Sequence, residues 1–299
     1  MRWNAWIAAM RLRTLPLALS GVVAGAAAAK LEGFFRAEVF WLTLSTALLL
    51  QILSNLANDY GDFSHGTDNN TRVGPERALQ SGKISPPAML KAIWLVGLLA
   101  FASPIACIMV AFPPDRYAEI ALFLVLGGLA IWAALRYTMG KNPYGYIGLG
   151  DLFVGLFFGL VAVGGSAWLH AGQFLLWSLL PAVGVGSFAM SVLHMNNMRD
   201  QIGDAASGKI TLAVRLGMQG GKQYHALLVA SGLVCWAAIP WHYQLAGWPL
   251  IPGLLIASIQ LTLTFQNKNF RGFDALLKGM VLATLTMTAG LAWMVFGNA

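Results

Sequence analysis

Nine apolar runs succeed one another along the chain, at about residues 14–30, 38–57, 88–111, 118–138, 147–169, 175–195, 224–241, 247–265 and 275–296. Most are near the roughly 20 residues that a helix needs to cross a bilayer. None shows the strict alternation of a half-buried strand. In hydrocarbon every backbone polar group must be satisfied within its own segment, which leaves the helix as the economical solution. The pattern predicts an all-α integral membrane protein, a bundle of nine transmembrane helices. Ahead of the first run, Trp3, Trp6, Ile7 and Met10 lie between Arg2 and the pair Arg11 and Arg13. That mixture predicts a short helix lying in the membrane interface. Arg11 and Arg13 followed by a run ending in Ala26–Ala29 also have the form of a secretory leader. The expectation here is an uncleaved first span.

Composition sharpens the picture. Of 299 residues, 58% are hydrophobic and 10% charged, far below the charge content of a soluble domain. The net charge of +7 therefore does not point to nucleic acid. In membrane proteins Lys and Arg collect in cytoplasmic loops. With the N-terminus placed in the cytoplasm, sixteen of the nineteen Lys and Arg residues fall on the inner side; Lys30, Arg36 and Arg116 do not. The long loops at about 60–87 and 196–223 then both face the cytoplasm, as caps of the kind that cover active sites. No composition break divides the chain, so residues 1–299 are expected to form one membrane domain. Cys107 and Cys235 both sit inside apolar runs and read as small buried hydrophobes.

Two polar clusters interrupt this apolar chain. One runs from Asn55 through Asn58, Asp59 and Asp62; the other runs from Asn196 through Asn197, Asp200 and Asp204. On a helix, Asn55, Asn58, Asp59 and Asp62 share one face, and so do Asn197, Asp200 and Asp204. Carboxylates beside hydrocarbon are costly and are kept where something recruits them. Each face offers only oxygen ligands, which suit hard cations. Mg²⁺ in particular completes its shell with water and substrate phosphate oxygens. One such cluster could be simple helix-end capping. Two on the same side of the membrane point to paired magnesium sites. Arg72 and Arg77 follow the first cluster, and Lys209 and Arg215 the second. Carboxylate-held Mg²⁺ with Arg and Lys alongside suits a diphosphate. At the end of membrane helices, a diphosphate implies a lipid tail. Gly155, Gly159, Gly164 and Gly165 suit either a tail groove or close helix packing.

A third polar stretch, Tyr137–Asp151, joins the fourth and fifth runs on the same side. Its Tyr144 and Tyr146 could face a developing carbocation or form an interfacial aromatic belt. The five histidines are scattered, and His194 lies nearest the acids.

The segments Asn58-Asp59-Tyr60-Gly61-Asp62 and Asn197-Met198-Arg199-Asp200-Gln201-Ile202-Gly203-Asp204 resemble the two Asp-rich motifs of the intramembrane aromatic prenyltransferases of the UbiA superfamily. Leu53–Asp62, Pro143–Asp151 and Gly208–Gly217 are most similar to the branch that prenylates 1,4-dihydroxy-2-naphthoate. Position 65 is His65, and the next acid is Asp68, a departure from the hydroxybenzoate-prenylating relatives that leaves the role of Asp68 open. The resemblance implies a UbiA-like bundle with cytoplasmic cap loops in a bacterial inner membrane, taking a polyprenyl diphosphate and the naphthoate as substrates. It implies that Asp59 and Asp62 bind one Mg²⁺ and that Asp200 and Asp204 bind the other. Asn55, Asn58 and Asn197 would support these shells. Arg72, Arg77 and Lys209 would hold the diphosphate. Asp151 or Lys141 would orient the aromatic acid. The product would be a demethylmenaquinol, formed with loss of carbon dioxide.

Two rivals remain at this stage. A transporter also uses intramembrane acids and glycine-rich helices, although its site belongs near the bilayer midplane. Within the enzyme class, the acceptor could instead be hydroxybenzoate or homogentisate, or the reaction could be phytyl transfer for phylloquinone.

Overall fold

A computed structural model describes residues 2–67, 74 and 76–297 of the chain. Among the described residues there is no strand. The helices are α1 (Arg2–Met10), α2 (Leu15–Leu31), α3 (Ala37–Ser64), α4 (Pro86–Ala111) and α5 (Tyr117–Arg136). They continue with α6 (Gly150–Ala171), α7 (Leu179–Ala206), α8 (Leu212–Tyr243), α9 (Ile251–Gln266) and α10 (Phe273–Phe296). Among the described residues eight helices are long and apolar enough to cross a membrane, and nine if α1 and α2, bent by 49°, are counted as one span. The all-helical membrane bundle expected from the apolar runs is therefore what the chain forms.

Consecutive spans other than α5 and α6 pack side by side, and α10 packs back against α2. Helix α7 is the most enclosed: 61% of the apolar window of its span is buried, against 17% for α5. Phe188, Met195 and Met198 of α7 meet Trp236 and Ile239 of α8 and Met280 and Met287 of α10 in the largest core cluster. Where α6 crosses α7, a Cβ on Gly159 would lie 2.6 Å from the Ala182 carbonyl oxygen. That glycine serves the close crossing. Between the consecutive spans α5 and α6 the backbones approach least, and aromatic side chains bridge them, Phe123 against Trp168 and Trp132 against Phe153.

Several boundaries differ from the hydrophobic pattern. Helix α3 extends to Ser64 and α7 to Ala206, each carrying its polar cluster in its last turns rather than in the loop beyond. A 28-residue helix is about 42 Å long, well beyond a hydrocarbon core of about 30 Å. The extra turns stay helical because protein cations, described below, satisfy their polar side chains. Helix α8 begins at Leu212, twelve residues before its apolar run, with Thr211 Oγ1 accepting from the Val214 N–H at 3.3 Å. It breaks at Gly217, whose φ of 66° is left-handed. Residues Gly155–Gly165 of α6 form a π-helix, a wide turn with no signature in the apolar pattern.

Helix α1 lies against the bundle with one side exposed. Trp3 and Ile7 are exposed, while Ala5 and Ala9 pack with Leu53 and Leu56 of α3 and Met89 of α4. It ends at Arg11, whose φ of 50° turns the chain sharply into α2.

Candidate functional site

The last turns of α3 present Asn55, Asn58, Asp59 and Asp62 on one buried face. Arg77, from the loop after α3, reaches both acids: Nη1 is 2.7 Å from Asp59 Oδ1 and Nη2 is 3.1 Å from Asp62 Oδ2. Its Nη1 also donates to Asn58 Oδ1 at 2.8 Å. Arg11 arrives from the other side and donates to Asp59 Oδ1 at 2.5 Å and to Asn58 Oδ1 at 2.6 Å. Asn55 sits one turn deeper and donates to the Met10 carbonyl at 2.8 Å. The left-handed turn at Arg11 is thus fastened to the first motif at two points.

The second motif converges on the same place. Lys209, just beyond α7, stands with Nζ 3.6 Å from Asp62 Oδ1 and 3.7 Å from Asp204 Oδ1. One ammonium group therefore sits between carboxylates of both motifs. Burial works against the charge on Lys209, but Asp62 and Asp204 outweigh it and lift its pKa above the ordinary 10.5. Tyr146 donates to Asp62 Oδ1 at 3.0 Å and is itself 2.6 Å from Thr67 Oγ1. Burial, and then the Asp62 carboxylate, push the Tyr146 phenol up, so it remains a proton donor. The loops are pinned to each other as well: the Ile210 N–H donates to the Tyr146 carbonyl at 2.9 Å, and Arg215 donates to the Ile147 carbonyl.

Asp200 is gripped by its neighbour. Arg199 donates from Nε to Oδ1 at 2.9 Å and from Nη2 to Oδ2 at 2.7 Å. Its Nη1 reaches Asp274 on α10 at 3.0 Å, and Nη2 also reaches Asn196 Oδ1 at 2.7 Å. Asn197 is buried, and its Oδ1 has no hydrogen-bond partner.

The remaining expected residues separate. Arg72 and Asp68 lie outside the described residues. Lys141 is exposed on the loop after α5 and does not line the cavity. Asp151 is buried at the start of α6, with Oδ1 unpartnered, but it too is absent from the cavity wall. Tyr137 does line the cavity, and its ring lies at Gly150, beside Asp151. The sequence alone marks Arg11 and Arg199 only as topology charges and gives no role to Asp274. The left-handed turn that aims Arg11, and the α7–α10 contact, exist only in three dimensions.

A cavity of about 340 Å³ opens beneath the acids. Its head is polar: Arg11, Asn55, Asn58, Asp62, Arg77, Asn196 and Lys209 line it. Its depth is apolar, with Leu126 and Phe123 on α5, Phe157 and Val161 on α6, and Cys107 and Ile108 on α4. Along α3 the wall runs from Asn58 back to Thr43, a rise of about 22 Å. Gly165 lines it too, so the glycines of α6 serve both packing and cavity. On the side between α5 and α6, Tyr144 stacks on Phe153 with ring centres 4.0 Å apart, and Trp132 stacks on Tyr144.

The donor set suits a hard divalent ion. Both motifs supply only oxygens, and Asn197 offers a buried oxygen without a partner. Among the described residues no three acidic, histidine or cysteine side chains cluster closely enough to form a cage by themselves. An ion here would complete its shell with phosphate oxygens, as Mg²⁺ usually does. Arg11, Arg77, Arg199 and Lys209 already meet the four aspartates. The balance favours an ion arriving together with an anion over a bare cation.

A bundle of membrane helices whose last span packs back on the first, two acid-bearing helix ends joined by one lysine, and a polar-headed apolar cavity place the chain in a known class. Residues 18–285 match the UbiA prenyltransferase family, and the protein belongs to it. It is 46% identical over 236 residues to the 1,4-dihydroxy-2-naphthoate octaprenyltransferase of Escherichia coli, covering 79% of this chain and 76% of that one. It is 35% identical over 301 residues to the enzyme of the same name from Mycobacterium tuberculosis, covering 98% and 94%. The fold is shared with a UbiA homologue from Aeropyrum pernix, with a TM-score of 0.70 at 17% identity over 91% of this chain and 96% of that one. A UbiA homologue from Archaeoglobus fulgidus, solved with DMAPP and Mg²⁺, aligns with a TM-score of 0.54 at 13% identity over 93% and 98%.

Proposed function

We propose that this protein transfers a polyprenyl group from an allylic polyprenyl diphosphate to 1,4-dihydroxy-2-naphthoate, releasing diphosphate and carbon dioxide and giving a demethylmenaquinol. The observation that carries the reading is Lys209 between Asp62 and Asp204, which draws both acidic motifs around one head-group site. The 46% identity to a naphthoate octaprenyltransferase supports this acceptor over hydroxybenzoate, homogentisate or a phytyl transfer. The apolar depth of the cavity supports a long isoprenoid tail. A head-group site at one end of the helices argues against a transporter.

In this reading Asp59, Asp62, Asp200 and Asp204 hold Mg²⁺, with Asn58 and Asn197 as neighbouring oxygen donors. When bound, the ion neutralises the diphosphate and eases its departure. Arg77, Arg11 and Lys209 bind the diphosphate oxygens and keep that charge in place as the allylic C–O bond breaks. Arg72, on the same loop as Arg77, joins them. Tyr146 holds Asp62 in position through its hydrogen bond. The electron-rich naphthoate ring attacks the allylic carbon. Its carboxylate leaves as carbon dioxide, and the electron pair of that C–C bond restores the aromatic ring. Asp151 acts behind Tyr137 to orient the ring hydroxyl, and Lys141 draws the aromatic acid toward the mouth. The tail occupies the apolar depth, and its excess length leaves between α5 and α6. The apolar walls keep water from the cation. The protein works in the bacterial inner membrane, N-terminus inward and site facing the cytoplasm, as one domain.

The test is an assay of purified protein with dihydroxynaphthoate and prenyl diphosphates of several lengths, with Mg²⁺ and with chelator. Prenylated product and carbon dioxide in equal amounts, lost on chelation and restored by Mg²⁺, are expected. Turnover of hydroxybenzoate in preference to the naphthoate would overturn the acceptor assignment.

A further inference from the structure

Arg199 is a fully buried charged side chain and touches three elements at once. Two of its nitrogens cover both oxygens of Asp200. A third reaches Asp274 Oδ1 at 3.0 Å, across the gap from α7 to α10. Gly74, from the loop that follows the first motif, lies directly over the guanidinium: a Cβ there would stand 2.7 Å from Nη2. Asp274 in turn is shared with Lys278, one turn along α10, whose Nζ is 2.6 Å from Oδ2 and whose side chain is exposed.

An acid whose two oxygens are both taken by one arginine has little to offer a metal. Asp200 can turn an oxygen toward an ion only if Arg199 loosens its grip. A guanidinium this deeply buried does so only if another anion receives it. Asp274 stands in that place. From this geometry we infer that Asp274 is a positioning residue: it draws Arg199 off Asp200 and so sets how readily the second acidic motif binds a metal–diphosphate unit. The inference rests on the metal-site reading above and extends it to a residue on the last helix, outside both motifs. Lys278 competes with Arg199 for Asp274 and opposes the effect.

The experiment titrates the manganese–diphosphate complex into detergent-purified full-length protein by calorimetry, at low and high salt, beside kinetic measurements. Asp274→Asn is expected to weaken binding about tenfold, a coupling typical of residues sharing one ion-pair network. Most of the loss persists at high salt, because it acts through a contact that is buried on the Arg199 side. Asp274→Glu restores most of the affinity, and Lys278→Gln tightens binding about twofold. The KM for the naphthoate stays within about twofold in all three, as a local effect on one network requires. Equal binding by wild type and Asp274→Asn would overturn the inference. So would a parallel rise in the naphthoate KM, which marks general damage. If the wild type itself bound no manganese–diphosphate, the metal-site reading would fall first and this inference with it.

Discussion

Lys209 and Asp62 come from opposite halves of the chain and face each other across 3.6 Å, with Asp204 at 3.7 Å from the same ammonium group. This contact turns two similar sequence clusters into one site. It also makes Lys209 the side chain whose loss separates substrate effects most clearly.

Lys209→Gln is expected to raise the KM for the prenyl diphosphate about tenfold or more while leaving that for the naphthoate nearly unchanged, since it removes a charge-assisted contact to phosphate. Steady-state kinetics with each substrate varied in turn checks this. Equal increases would remove Lys209 from the phosphate site.

The pH profile gives an independent check on the same residue. The folded-state pKa of Lys209 is raised by Asp62 and Asp204. Its contribution is therefore fully present below the unfolded value of about 10.5 and is lost only as pH rises through the higher folded value. The stability of the metal-free protein should not decline between pH 7 and about 9.5 on account of Lys209. A wild-type alkaline limb in that window that disappears in Lys209→Gln would contradict the assignment.

Asp59→Asn and Asp200→Asn should each cut turnover by about a hundredfold or more, the scale of losing a preorganised charge-stabilising group. The variants should still insert in membranes and elute as folded protein. Near-normal rates with Mg²⁺ in either one would remove that acid from the metal shell.

Gly61 lies where α3 meets the loop after α5, and a Cβ there would stand 2.6 Å from the Thr138 carbonyl oxygen. Gly61→Ala should cost about 1–3 kcal/mol by overpacking. It should also move Asp62 off its contacts, so melting temperature and activity fall together. Thermal unfolding in detergent, beside the assay, measures both.

Ala130→Trp places an indole in the apolar depth of the cavity, where Ala130 lines the α5 wall. Activity with long prenyl diphosphates should fall steeply and that with dimethylallyl diphosphate should survive. Equal losses at every chain length would show that the tail does not run past Ala130.

Much of this was legible in the sequence, and for identifiable reasons. The apolar runs give the helices because hydrocarbon leaves the backbone few alternatives. Asn55, Asn58, Asp59 and Asp62 share a face through helical spacing, and Lys209 sits where its charge suggested. The helix ends were not legible. A polar cluster ordinarily marks a loop, whereas here Arg11, Arg77 and Arg199 neutralise the acids and let α3 and α7 continue through them. Arg11 acts through a left-handed backbone turn that no residue pattern announces. Asp274 was invisible because its partner is seventy-five positions away.

The seam between α5 and α6, bridged by aromatic side chains rather than by close backbone packing, bears on what concentration means for this protein. A long-chain substrate that entered there would stay in its leaflet, as would the tailed product. Only the small polar species exchange with water. Turnover should therefore follow the surface density of the long-chain substrate among the lipids, so adding inert lipid at fixed bulk amounts should slow the reaction by two-dimensional dilution.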